Sequence, residues 1–203
     1  MIVMHHVFDE INMHLLHDDQ PSVFINEQSE TPLFGEYPLK MLSRLKRTEQ
    51  SPKYHPEGNV WNHTMLVLDE AAGVKSQSRD EKAFMWAALL HDIGKPDTTK
   101  SRKGRITAYD HDKLGAVLAG EFLQELTEDQ GFINRVVNLT RWHMQILYVV
   151  NDLPFADVKT MKKQADIHEI ALLGLCDRLG RVGANRSQEE KNIKLFIRKC
   201  EMP

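Results

Sequence analysis

Apolar residues along this chain recur mostly at three- and four-residue intervals, and strand-like alternation is rare. Met4, Val7, Phe8, Ile11 and Leu15 fall on one face of a first helix. The stretch QPSVFINEQSETPLFGEYP then breaks the period with three prolines and a glycine, and it reads as a connector. A second helix is expected in LKMLSRLKR and a loop in TEQSPKYHPEG. Asn59 is placed to cap a helix VWNHTMLVLDEAAG that ends at Gly73. Asp80 opens EKAFMWAALLH, which Gly94 and Pro96 close. The Lys-Gly-Arg turn in TTKSRKGRITAYD predicts a small hairpin. Asp110 is expected to cap the helix that follows it, HDKLGAVLAGEFLQEL. Thr127 with Gln130 has capping-box spacing for a helix reaching about His143. LPFADVKTMKKQ predicts a short helix after Pro154. Asp166 with Glu169 opens IHEIALLGLCDRLGR, and Ser187 with Glu190 opens a last amphipathic helix through Arg198. The sum is an all-α protein of about eight helices with no internal repeat.

The chain has 203 residues, enough for one sizeable core. Its 26 basic and 29 acidic residues give a net charge of −3, which argues against a polycationic nucleic-acid binder while leaving room for a local basic patch. Two cysteines, Cys176 and Cys200, cannot build a disulfide scaffold or a four-thiolate zinc site. That usage suits a reducing, cytoplasmic setting. No apolar run approaches the roughly 20 residues that span a bilayer, and the start carries no secretory pattern.

The unusual number is ten histidines. His63 falls in the first turn of its helix. His91 and Asp92 are adjacent at the end of a strongly apolar helix. His111 opens a helix and His143 closes one. Asp177 sits late in a helix of Leu, Ile and Ala, where an acid carries a desolvation cost unless a cation compensates it. Imidazole and carboxylate together suit Mn, Fe, Co, Ni, Zn or Mg. Taken singly, each residue has an ordinary structural role open to it, and only the His91–Asp92 pair stands apart. His5, His6, His14 and His17 read as a polar helix face, with a metal clip by His14 and His17 as the alternative. His168 reads as a surface residue. Trp61, Trp86 and Trp142 suit core packing, with base stacking as the alternative, and Cys176 a small buried hydrophobe.

The strings YHPEGNVWNHTMLVLDEA, AALLHDIGKP, GRITAYDHDKLGA and CDRLGR, in that order, resemble the HD superfamily of metal-dependent phosphohydrolases. They are similar in particular to the HD domain that accompanies bacterial CCA-adding tRNA nucleotidyltransferases. The resemblance covers roughly Leu45 to Arg181. It implies an HD-domain helical bundle over residues 45–203, with residues 1–44 as an N-terminal helical extension. Asn59 stands where the look-alikes often carry Asp. With no visible nucleotidyltransferase motif, CCA addition is not expected.

By this resemblance, His63, His91, Asp92 and Asp177 would ligate a first divalent ion, with Asp92 able to bridge to a second. His111 and His143 match positions that hold a second ion in two-metal members, so one or two ions stay open. Lys95 looks like a residue that contacts substrate phosphate. The implied reaction is attack of metal-bound hydroxide on a phosphomonoester or phosphodiester of a nucleotide or related small phosphate, 2′,3′-cyclic esters included. Asp92 or Asp177 would orient the water. Lys95, helped by Arg102, Lys103 or Arg105, would neutralise phosphate oxygens, with a solvated hairpin tip as the equal alternative for that turn. Arg181 would reach phosphate or pair with an acid, and His55 would line the mouth of the site. The expected partner is a small phosphorylated substrate, a nucleotide first, with no membrane. Two other readings are a metal- and nucleotide-binding sensor without turnover, and an RNA 3′-end processing accessory using a basic stripe of SRKGR and KMLSRLKR. The net charge disfavours the last.

Overall fold

The structure, a computed structural model, describes residues 2–202. Twelve α segments and one hairpin make up its regular elements among those residues, apart from short 3₁₀ turns. In chain order these are α1 (Ile2–His17), α2 (Pro21–Gln28), α3 (Lys40–Ser43), α4 (Val60–Ala72), α5 (Glu81–Leu90) and α6 (Lys95–Thr98). Strands β1 (Thr99–Arg102) and β2 (Arg105–Ala108) follow, then α7 (His111–Gln124), α8 (Gln130–Trp142), α9 (Gln145–Val150), α10 (Val158–Gln164), α11 (Ile167–Leu179) and α12 (Arg186–Glu201). The all-α expectation holds. The excess over eight helices comes from one-turn pieces and from α2 and α9.

α5 is the axis of the core. Every residue from Ala83 to Leu90 is buried, as expected of a helix that is apolar all round. It packs against α4, α8, α11 and α1. Each fully buried Leu or Phe along these contacts contributes about 1.5–3 kcal/mol relative to exposure. The N-terminal helices cover the outer faces of this core. Phe8 of α1 stacks on Trp86 at 5.0 Å between centroids, and Asn12 Oδ1 accepts from the Trp86 indole at 3.1 Å. Asn26 of α2 accepts from Trp61 Nε1 at 2.8 Å. Val7, Phe8, Ile11 and Leu15 are buried as their periodicity predicts. Met4 and His5 lie outside the described side chains. All three tryptophans are buried, which selects core packing over base stacking.

Several local expectations are corrected. The stretch read as a connector forms α2 and a 3₁₀ turn at Pro32–Gly35, because Pro21 and Pro32 each stand at the first helical turn, where a missing N–H costs nothing. LKMLSRLKR is helical only as α3 and a 3₁₀ turn, Arg44–Arg47. Asp129, not Thr127, caps α8 by accepting from Phe132 N at 2.9 Å. Asn185, not Ser187, caps α12. Asp110 precedes α7 with φ +59° and makes no capping bond, and its carboxylate pairs with Lys113 at 2.7 Å instead. Asn59, Asp80 and Asp166 cap as predicted.

Two glycines draw the elements together. A Cβ on Gly94 would lie 2.3 Å from the His111 carbonyl oxygen and 2.6 Å from Gly115 N. A Cβ on Gly180 would lie 2.5 Å from Val67 Cγ2. The first contact seats the end of α5 against the start of α7. The second seats the end of α11 against α4. Among the described residues, no helix is long and apolar enough to cross a membrane.

Candidate metal centre

The close packing at Gly94 and Gly180 brings five helix ends to one point. His63 enters from the first turn of α4, fixed by the Asn59 cap. His91 is the C-cap of α5, and Asp92 follows it. His111 begins α7 and His143 is the C-cap of α8. Asp177 comes from the last turns of α11. All six side chains are buried.

Asp92 is the hub. Its Oδ2 lies 3.2 Å from His91 Nε2 and 3.9 Å from His63 Nε2. Its Oδ1 lies 3.5 Å from His111 Nε2 and 3.9 Å from His143 Nε2. Two trios result, His63–His91–Asp92 and Asp92–His111–His143, and in each the three ligand atoms lie within 4.8 Å of one another. The two share Asp92, one oxygen to each side. Asp177 Oδ1 completes the first side at 3.0 Å from His63 Nε2.

Three of the imidazoles are oriented by one device. His91 Nδ1 donates to Ala88 O at 2.8 Å, His111 Nδ1 to Ala108 O at 2.6 Å, and His143 Nδ1 to Thr140 O at 2.7 Å. A carbonyl can only accept, so each Nδ1 carries a proton, and Nε2 is the ring atom left facing the cluster. This is the arrangement that prepares histidine as a ligand. Burial, reinforced by His111 and His91, pushes His143 down to about 3. Burial also lowers His111 against the pull of Asp92. Burial opposes charge on His91 too, but there the Asp92 carboxylate outweighs it and the value is raised. Burial would raise both acids; Lys95 and His91 instead hold Asp92 well below the ordinary carboxylate range, and Arg181 and His63 do the same for Asp177.

The residues fit a divalent ion on their own geometry. His91 Nε2, the ring atom that faces Asp92, is buried without a hydrogen-bond partner, although such groups are nearly always paired. Nitrogen and carboxylate donors are the chemistry of a borderline or hard cation. His63, His91, Asp92 and Asp177 could hold one ion, and Asp92, His111 and His143 a second.

The cluster opens into a cavity of about 870 Å³. Lys95, His55 and Arg181 line it. Lys95 Nζ sits 2.6 Å from Asp92 Oδ2 and donates to Gln50 Oε1 at 2.6 Å. Arg181 reaches Asp177 Oδ1 at 3.3 Å. Arg102 and Arg105 do not line the cavity, against expectation. They flank the hairpin turn as a register pair, with Lys103 and Gly104 at positive φ, and all four are exposed. The neighbouring Ile106, Thr107 and Ala108 face the cavity instead. The expected basic stripe is also shortened, since Arg44 pairs with Asp97 and Lys46 with Glu30.

Sequence reasoning missed Glu57, Gln50 and Arg141. Glu57 Oε1 lies 2.8 Å from His55 Nδ1 and 3.0 Å from His63 Nδ1. It stands inside the HPEG string, and that was the available signal. Arg141 lines the cavity, pairs with buried Asp112 at 2.5 Å and covers the Trp142 ring. Nothing in the sequence marks Gln50. In the N-terminal group, His14 bonds Asp18 at 2.7 Å and stacks on Phe24, so it forms no clip with exposed His17. His168 is exposed and Cys176 buried.

A family model described as HD domain matches residues 60–180. Among curated proteins, the chain is 37% identical over 95 residues to a Multifunctional CCA protein of Halorhodospira halophila, covering 47% of this chain and 21% of that protein. It is 24% identical over 164 residues to the Multifunctional CCA protein of Methylococcus capsulatus, covering 79% of this chain and 32% of the relative. It is 28% identical over 144 residues to that of Alkalilimnicola ehrlichii, covering 71% and 33%. The aligned part spans about a fifth to a third of the length of these relatives.

Proposed function

The chain belongs to the HD domain family, and on that premise we propose that it is a metal-dependent phosphohydrolase acting on a phosphomonoester or phosphodiester of a nucleotide or related small phosphate. What supports this most is the convergence of four buried imidazoles and two carboxylates, of which Asp92, Asp177, His111 and His143 line one cavity together with Lys95. A bound divalent ion supplies Lewis-acid polarisation of the phosphoryl group and an acidified water. The chain's own contribution is position and charge. Lys95 carries a cation to the cluster wall at 2.6 Å from Asp92, where it meets an incoming phosphate. Arg181 adds a second cation beside Asp177. Asp92 and Asp177, held ionised by these neighbours, accept the proton side of an attacking water and orient it. The burial of all six ligand candidates excludes bulk water and strengthens each of these interactions.

A second reading follows from the relatives, whose name is Multifunctional CCA protein: the same chemistry applied to an RNA 3′ end. Exposed Arg102, Lys103 and Arg105 beside the cavity favour it. The test is a phosphate-release screen of mononucleotides, 2′,3′-cyclic nucleotides, sugar phosphates and short RNA, each with Mn, Ni, Co and Mg. Metal-dependent release from at least one small ester is expected. Binding without turnover across the panel would instead identify a sensor. Turnover of RNA alone would select the second reading.

A further inference from the structure

Aromatic side chains in this protein are sorted by place. Seven of the eight phenylalanines and all three tryptophans are buried. The aromatic residues left in contact with solvent among the described residues are Tyr37, Tyr54, Tyr109, Tyr148 and Phe155. Four of these five line the cavity that ends at the metal cluster. Phe155 is 62% exposed, Tyr109 73% and Tyr54 58%. They come from three separate loops, so no single amphipathic element explains their gathering. Phe155 is also held in place. Its carbonyl accepts from Gln145 Nε2 at 3.3 Å, and Gln145 Oε1 accepts from Asp157 N at 2.8 Å, with Gln145 itself buried. Tyr148 stands 5.6 Å from Phe155 between ring centroids, at 58°.

Apolar rings fixed in water at a cavity mouth recover their hydration cost only when a ligand covers them. A phosphate alone does not need them, and it occupies a small part of about 870 Å³. We propose that Tyr148 and Phe155, with Tyr54 and Tyr109, form a nucleobase-stacking subsite, so that the ligand is a nucleoside phosphate with its phosphate at Lys95 and Arg181 and its base on the aromatic rim. The proposal rests on the phosphohydrolase reading for the phosphate end only. Rings accept any base by its π-face, so the subsite selects for a base without choosing strongly among bases. The base belongs either to a free nucleotide or to a strand terminus.

The test is calorimetric titration of the full chain in EDTA, where turnover does not interfere, with AMP, ribose 5-phosphate and the trinucleotide ApApA. AMP is expected to bind at least tenfold more tightly than ribose 5-phosphate. Phe155→Ala and Tyr54→Ala, both on exposed loops, should each weaken AMP at least fivefold and leave ribose 5-phosphate unchanged. ApApA binding like AMP supports a free-nucleotide source, and tighter binding supports a strand end. Equal affinity for AMP and ribose 5-phosphate, or AMP affinity indifferent to both substitutions, overturns the subsite. Absence of hydrolysis in every metal would remove the phosphohydrolase reading and leave this outcome readable.

Discussion

Glu57 Oε1 lies 3.0 Å from His63 Nδ1, while the other ring nitrogen of His63 faces Asp177 at 3.0 Å. The imidazole is thus held between two carboxylates, one inside the candidate metal cluster and one behind it. The Glu57 carboxylate stands against the ring at close range without an aligned hydrogen bond. Burial alone would raise the Glu57 carboxyl, but the histidines His63 and His55 bring it down to about 2.

Glu57→Gln keeps the shape and removes that charge. It should lower divalent-metal affinity about 10- to 100-fold, the usual cost of losing a partner behind a ligating histidine. Competition titration against a chelating dye reads it, with circular dichroism to confirm the fold. Unchanged affinity would show that Glu57 serves only His55.

Lys95→Met removes the cation nearest Asp92 while keeping the stem. Hydrolysis should fall about 10²-fold or more, the scale of losing one preorganised electrostatic contact, with metal content retained. Loss of metal together with activity would place Lys95 in support of the cluster instead.

Gly94→Ala forces a Cβ against the His111 carbonyl and Gly115 N. The overpacking should cost about 1–3 kcal/mol in denaturant unfolding. It should also weaken the His111–His143 side of the site more than the His63–His91 side. A fully stable variant with normal metal stoichiometry would contradict the packing described.

The metal-free chain should lose stability as pH falls from about 6.5 towards 4. Burial holds His143 down to about 3, and burial with Lys95 holds His55 down to about 4, whereas both titrate near 6.5 when unfolded. In that window the unfolded chain binds more protons, so stability rises with pH. His143 contributes up to about 1.4 kcal/mol per pH unit, and the more accessible His55 less. His91, raised in the fold, is protonated in both states there and adds nothing. Denaturant midpoints at pH 7 and pH 5 in EDTA check the sign.

The helical class was legible because α4, α5 and α11 announce themselves by period and by the caps Asn59, Asp80 and Asp166. Caps failed where two candidates stood two residues apart. Asp129 took the place of Thr127, and Asn185 that of Ser187, because spacing alone does not say which oxygen reaches the free N–H. The cluster itself could not follow from spacing, since His63, Asp92 and Asp177 come from different helices. Motif resemblance named those residues, and backbone contact at Gly94 and Gly180 is what assembles them. Arg102 and Arg105 stand at the exposed hairpin tip, while the cavity is reached by Ile106, Thr107 and Ala108 further along β2, a difference that composition does not reveal.

The central claim is that Asp92 joins two cation positions and that hydrolysis depends on them. Elemental analysis of native protein and of Asp92→Asn, after metal saturation and desalting, tests it together with phosphate release from 2′,3′-cyclic AMP. The account predicts two ions per chain in the native protein, and loss of both bound metal and metal-dependent hydrolysis in a folded Asp92→Asn. An Asp92→Asn protein that keeps its metal and its full activity would contradict it.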